Sequence, residues 1–346
     1  MKQLKTKIIL LFCLMQSITA FAQLPDDVKV YKIWDDADHS AFTDLIRFND
    51  SFYCSFREGS GHVPGDEDVD GTVRILKSPD GKNWESVALL EKEGIDLRDP
   101  KLSITPDGRL MVIIGGSIYD KRVLEGRIPH VSFSDQSGTN FSDPEEVKVD
   151  RKIVSWGDWI WRVTWHKGVG YGIDYQIGPQ ERRGPTAMYL VKTTDGKNFK
   201  RVSEIELDGF PNEATIRFDQ NDRMHVLIRR ETEDQLGVFA QSKAPYKKWD
   251  FQKLDIRLGG PNFIFTRDNR RILGTRLYEP DVYTAILNEV EPGKFKEVLH
   301  LPSGGDNSYP GMVLHNDDLW ISYYSSHEGK SSIYISVIPM KTLEKL

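Results

Sequence analysis

Cysteine is scarce in this sequence: Cys13 and Cys54 are the only two in 346 residues. Cys13 lies in a leader-like segment, so a processed chain keeps one thiol and has no internal disulfide framework. Cys54 falls inside an apolar strand pattern, where a small core side chain is expected rather than a catalytic thiol. Long apolar runs are also missing. The stretch Ile8 to Met15 is too short to span a membrane, and no second candidate follows it. Helical periodicity is nearly absent, with no capped segment that sustains apolar residues at i, i+3, i+4 and i+7. Nor is there an excess of base. The formal net charge is −6, which argues against nucleic acid as a partner. His62, His130 and His166 have no metal-ligand spacing, and the acidic loop Asp66, Glu67, Asp68 and Asp70 lacks the distal Glu of a calcium loop. No metal or cofactor is expected from these patterns.

The N-terminus has the layout of an export signal. Lys2, Lys5 and Lys7 precede the apolar core, and Ala20-Phe21-Ala22 supplies a small-residue cleavage site before Gln23. Residues 1–22 are therefore expected to be a signal peptide, and the mature chain, secreted or periplasmic, to begin at residue 23. The rest shows no linker or low-complexity tract, so residues 23–346 are expected to form one domain, which must stand on its hydrophobic core.

Six segments share one grammar: an alternating apolar strand, a polar turn and a second, more continuous apolar strand. They run from Ala41 to Arg57, Pro100 to Gly115, Ile160 to Tyr175, Glu213 to Arg229, Pro261 to Arg276, and Tyr309 to Tyr324. Their starts recur at roughly fifty-residue intervals, the length of one four-stranded propeller blade. A third strand follows each hairpin, and a fourth follows most. The last repeat lacks a fourth, while Val28 to Trp34 has no repeat of its own. The sequence thus predicts an all-β, six-bladed β-propeller in which the N-terminal strand closes the final blade and removes an open edge.

The turns after the third strands repeat a second signature. Ser78 to Trp84 (S-P-D-G-K-N-W) and Thr193 to Phe199 (T-T-D-G-K-N-F) are near copies. Ser134 to Phe141 is a looser version with Gln136 at the acid's position, and Ser242 to Trp249 a degenerate one. Asp and Ser or Thr side chains that bond the turn backbone, with Gly at φ > 0, explain the pattern as blade construction rather than chemistry.

In a propeller the innermost strand of each blade lines the axis, and ligands bind where those strands begin. The strand starts carry Asp99, Arg162, Glu213, Asn262 and Tyr309, and Arg57, Arg229 and Arg276 stand at the ends of neighbouring strands. Arginine forks in an acidic protein suit an anionic ligand. With its Asp-box turns and six hairpins, the chain resembles the sialidase superfamily over essentially its whole mature length. That resemblance implies a glycan substrate, with Tyr309 (in N-S-Y-P-G-M) as nucleophile and Glu213 (in P-N-E-A-T) as its base. It also implies that Arg229 and Arg276 (in G-T-R-L-Y) are two members of a substrate-binding arginine triad. The pattern departs at the first blade, where His39-Ser40-Ala41-Phe42-Thr43-Asp44 stands in place of Arg-Ile-Pro. Arg57 is the candidate replacement for the missing arginine. Arg127-Ile128-Pro129 precedes the third strand of the second repeat, which is the wrong place for it.

The general acid stays open at this point. Asp99, within Arg98-Asp99-Pro100, is one candidate, and could instead hold an arginine. The Arg-Asp-Pro run is also similar to that of five-bladed furanosidase-type hydrolases. An acid of the Asp66 to Asp70 loop is a second candidate, and His62, in a Gly-rich loop near Arg57, a third. Trp156, Trp159, Trp161 and Trp165 crowd the third blade's entry, as core or as a sugar-stacking wall. Three activities fit: a retaining exo-glycosidase acting on a terminal acidic sugar, a lyase or glycosidase acting on uronic acids or other non-sialic sugars, or a glycan-binding propeller without catalysis.

Overall fold

The computed structural model describes residues 24–65, 71–176 and 187–346. The leader and the Asp66 to Asp70 loop lie outside the described residues. Among the described residues six sheets follow one another along the chain, antiparallel but for one short parallel pair in the third, each the predicted hairpin extended by two or three strands. The inner strands, in blade order, are His39–Phe48, Asp96–Ile104, Asp158–His166, Pro211–Phe218, Asn262–Phe265 and Asn307–His315. Two outer strands that the sequence pattern left unassigned, Asn198–Glu204 and Asp250–Arg257, extend the third and fourth blades, and Lys148–Val149 adds a short parallel strand outside the first of them. A short helix, Met340–Leu343, ends the chain.

Closure is as expected. Lys29–Trp34 pairs antiparallel with Ser332–Pro339 and supplies the outermost strand of the sixth blade. The sheet made last is thus completed by the strand made first, and neither terminus leaves that edge open.

Alternation along the strands buries one face of each blade against the next, so the hydrophobic core is a set of seams between blades. Tyr53, Val73 and Ile75 of the first blade meet Leu97, Leu102 and Val112 of the second. Met111, Ile113 and Val131 meet Ile160, Val163 and Val191 across the next seam. Ile272, Ile286 and Leu299 meet Met312, Leu319 and Ile321 between the fifth and sixth.

The turns after the third strands tie these seams together. Asp80 Oδ1 accepts the backbone N–H groups of Lys82 and Asn83, each at 2.9 Å, and Ser78 Oγ accepts that of Gly81. Asp195 repeats the arrangement with Lys197 and Asn198, at 2.8 Å each. In the looser turn the acid is Asp135, one position before Gln136, bonded to Thr139 N and to the Asn140 amide. The turn therefore keeps its chemistry with one extra residue. Gly81, at φ 74°, lies so close to Trp320 of the sixth blade that a Cβ would meet its ring at 2.1 Å. Gly138 approaches Tyr53 of the first blade, and Gly196 approaches Phe133 of the second, in the same way. Each turn thus leans on the preceding blade.

Candidate active site

Five of the six inner strands break register near their first residues. The irregularities fall between Ala41 and Asp44, Arg98 and Lys101, Ile160 and Val163, Pro211 and Ala214, and Ser308 and Gly311. A bulge bends the strand and re-aims a side chain, and here it does so at one level around the axis. Phe42, Asp99 and Tyr309 occupy equivalent bulge positions with φ of 63°, 52° and 53°. Left-handed backbone at a non-glycine residue costs about 1–3 kcal/mol and collects at functional sites. The fifth blade has Gly260 there, at φ 58°, where a Cβ would strike the Tyr309 ring at 2.6 Å.

Tyr309 and Glu213, 96 residues apart, meet at the mouth. The Tyr309 hydroxyl donates to Glu213 Oε1 at 2.5 Å. Arg229 Nη1 lies 2.8 Å from the same oxygen, and Gly260 N donates to Oε2 at 2.8 Å. Burial alone would raise the Glu213 carboxyl, but the Arg229 charge and the two donors outweigh it and hold the group below the ordinary range. Glu213 is therefore an anion aimed at a phenol. The Tyr309 hydroxyl is pushed well up, first by burial and then by the Glu213 charge, so it rests protonated. Arg229 also pairs with Glu231. Arg276 places its guanidinium carbon 5.6 Å from the Tyr309 ring centroid while donating to the Asn307 carbonyl and to the Tyr324 hydroxyl.

Asp99 lies within electrostatic reach of both Glu213 and Tyr309. It is 9% exposed, its Oδ1 is buried without a partner among the described residues, and burial pushes its carboxyl up, reinforced by Glu213 and opposed by Arg98 and Lys101. A buried carboxyl with a raised pKa suits a proton donor. Arg98 lies over the Phe42 ring, 5.0 Å from its centroid, and donates to the His62 carbonyl at 2.9 Å. Beneath them Lys101, pushed down to about 8 by burial, donates to the Phe42 and Thr43 carbonyls. Lys101 thereby braces the first blade's bulge from the second. Trp161 is a buried neighbour of Tyr309, with ring centroids 5.5 Å apart.

The structure thus brings Tyr309, Glu213, Asp99, Arg98, Arg229, Arg276 and His62 to one rim, and it sets two expected residues apart. Arg57 is wholly buried, with Nε 2.8 Å from Asp96 and Nη1 donating to the Gly61 carbonyl. Gly59 and Gly71 pack against its guanidinium, so it has no room to turn toward a ligand. Arg57 is a brace for the loop, and the replacement role expected of it is corrected. Arg162 is likewise buried, paired with Asp44 at 2.7 Å, and holds the axis below the mouth. Where the pattern lacks its first arginine stands Phe42, whose ring lies 5.2 Å from that of Tyr309. Arg127 does approach the mouth. It lies on an added strand, Val123–Arg127, its guanidinium faces Trp159, and it is within electrostatic reach of Arg98 and Asp99.

His39, Asp306 and Tyr324 were not singled out from the sequence, yet they line the same rim. The Tyr324 hydroxyl donates to Asp306 Oδ1 at 2.8 Å, and His39 and His62 both reach Asp306 Oδ2. The local signal was the position of Asp306, three residues before Tyr309; its histidine partners lie 267 and 244 residues away.

No family model matches the chain, and no curated protein matches it. Solved structures do. A Dyadobacter fermentans protein of unknown function superposes with a TM-score of 0.76 at 19% identity, covering 91% of this chain and 100% of its own. Trypanosoma rangeli sialidase superposes with a TM-score of 0.68 at 10% identity over 93% of this chain, which spans 61% of that enzyme. Penicillium chrysogenum α-L-arabinanase gives a TM-score of 0.66 at 14% identity, over 88% of this chain and 94% of that one. At such identities the likeness is one of fold. This chain is a six-bladed β-propeller of the sialidase-like kind.

Proposed function

We propose that the protein is a retaining exo-glycosidase that removes a terminal, acidic sugar from a glycan. The observation that carries the reading is the 2.5 Å hydrogen bond from Tyr309 to Glu213, held by Arg229. Tyr309 Oη attacks the anomeric carbon while its proton passes to Glu213 Oε1. Asp99 gives its proton to the departing glycosidic oxygen, then takes one from the water that releases the sugar. A neutral phenol suits an anionic sugar, which would repel a carboxylate nucleophile. Arg229, Arg276 and Arg98 supply the donors for that anionic group. The fold likeness to a sialidase and an arabinanase supports glycan hydrolysis, and the leader-like N-terminus supports export to the periplasm or medium.

The test is a panel of aryl glycosides, an α-sialoside beside uronides and neutral sugars, with wild-type protein and Tyr309→Phe. Aryl release from an acidic glycoside that disappears in the variant is expected. Release only from neutral glycosides would overturn the acidic specificity, and an unsaturated, ultraviolet-absorbing product from a uronide polymer would replace hydrolysis with elimination. Binding without turnover, unchanged in Glu213→Gln, would make the propeller a lectin.

A further inference from the structure

Beside the Tyr309 ring stands a second cluster that the glycosidase reading leaves unused. His39 Nε2 lies 3.0 Å from Asp306 Oδ2, and His62 Nδ1 lies 2.8 Å from the same oxygen. The three ligand atoms all fall within 4.8 Å of one another. Two imidazoles turned to one carboxylate oxygen, with the other oxygen held elsewhere, is the donor arrangement of a two-histidine, one-carboxylate metal site. Donors at about 2.0–2.1 Å from a tetrahedral ion stand about 3.3 Å apart, close to the two spacings from Asp306 Oδ2, and the two imidazole nitrogens fall within 4.8 Å of one another. We propose that His39, His62 and Asp306 bind one divalent transition-metal ion, of the zinc or cobalt class, at the rim of the mouth.

Three further features fit that role. Asp306 Oδ1 is fixed from behind by the Tyr324 hydroxyl at 2.8 Å, with Arg276 at 3.4 Å on the same side, which leaves Oδ2 for the ion. Such outer contacts orient a ligating carboxylate. His62 is pinned by Arg98, which donates to its backbone carbonyl at 2.9 Å, so its ring does not depend on loop order alone. Its side chain is 52% exposed, which gives an ion a path in from solvent, while the His39 side chain is 11% exposed. Three protein ligands leave at least one coordination position open. Phe42, 5.1 Å from His62 and 5.2 Å from Tyr309 by ring centroids, joins the cluster to the Tyr309 site, so that position adjoins the substrate space. An ion there would add positive charge beside the bulge where Phe42 stands instead of an arginine. The site itself stands whether or not the glycosidase reading does.

The full mature chain, stripped with a chelator and dialysed, is titrated with Zn²⁺ by calorimetry and with Co²⁺ by visible absorption. One ion per chain is expected, with a cobalt band characteristic of nitrogen ligation. His62→Ala and Asp306→Asn should each abolish stoichiometric binding, Tyr324→Phe should weaken it by about tenfold, and Tyr309→Phe should leave it unchanged. Because His62 is half exposed, its alanine variant is expected to fold, which circular dichroism checks. Failure of the wild-type chain to bind either ion at millimolar concentration would overturn the proposal. So would binding that survives in both His62→Ala and Asp306→Asn.

Discussion

Asp99 and Glu213 are two carboxylates whose surroundings drive them in opposite directions. Glu213 is held low by Arg229, Tyr309 and Gly260 N, whereas Asp99 is raised by burial with an unpartnered oxygen. In the proposed mechanism that separation suits Glu213 to the base's part and Asp99 to the acid's. It also sets the pH profile: kcat/KM should fall on the acid side as Glu213 protonates and on the alkaline side as Asp99 ionises. Asp99→Asn should remove the alkaline limb and cost about 10²–10⁴-fold in rate. The same substitution should stabilise the fold at neutral pH. A carboxyl whose folded pKa is raised binds more protons folded than unfolded, so stability falls as pH rises above its ordinary 3.8. The melting temperature of Asp99→Asn should therefore exceed wild type at pH 7, with the gap closing below the unfolded value. A lower melting temperature at pH 7 would show that Asp99 is paired and ionised, not poised as an acid.

Among the elements, the hairpins and the turns after the third strands do separate work, and the glycines distinguish them. Gly81 and Gly168 have φ of 74° and 80°, but only Gly81 presses on a neighbour, the Trp320 ring; nothing lies within 4 Å of a Cβ built at Gly168. Gly168→Ala should cost about 1–2 kcal/mol from backbone strain alone. Gly81→Ala adds overpacking at the seam between the first and sixth blades and should cost about 2–4 kcal/mol in total. Urea unfolding of the two variants checks this, and equal losses would mean that the turn does not anchor the preceding blade. The hairpins were legible in the sequence because alternation and turn chemistry are local. The bulges were not. Phe42, Asp99 and Tyr309 show no shared residue type, and their common backbone twist arises only when six strands crowd one axis.

For the whole molecule, the ring was readable from its period, and the closing strand from an unmatched beginning and an unfinished end. Removing residues 29–34 should leave Ser332–Pro339 as an open edge, lower the melting temperature and promote self-association at high concentration. An unchanged monomer of wild-type stability would mean the sixth blade does not need that strand. Long-range pairs were harder to see. Tyr309 and Glu213 were legible because each keeps a recognisable neighbourhood in its own repeat. His39, His62 and Asp306 come from opposite ends of the chain and meet only because the last blade closes on the first. Arg57 misled for the complementary reason: its place at a strand end said nothing about Asp96, which buries it.

In the proposed mechanism Tyr309 forms a covalent bond to the sugar with Glu213 as its base. The most direct measurement is intact-protein and peptide mass spectrometry after reaction with a fluorinated glycosyl fluoride, chosen from the sugar that the aryl panel turns over. One added glycosyl group is expected on the peptide that carries Tyr309, formed far more slowly in Glu213→Gln and absent in Tyr309→Phe. An adduct on another residue, or turnover that persists in Tyr309→Phe, would contradict it.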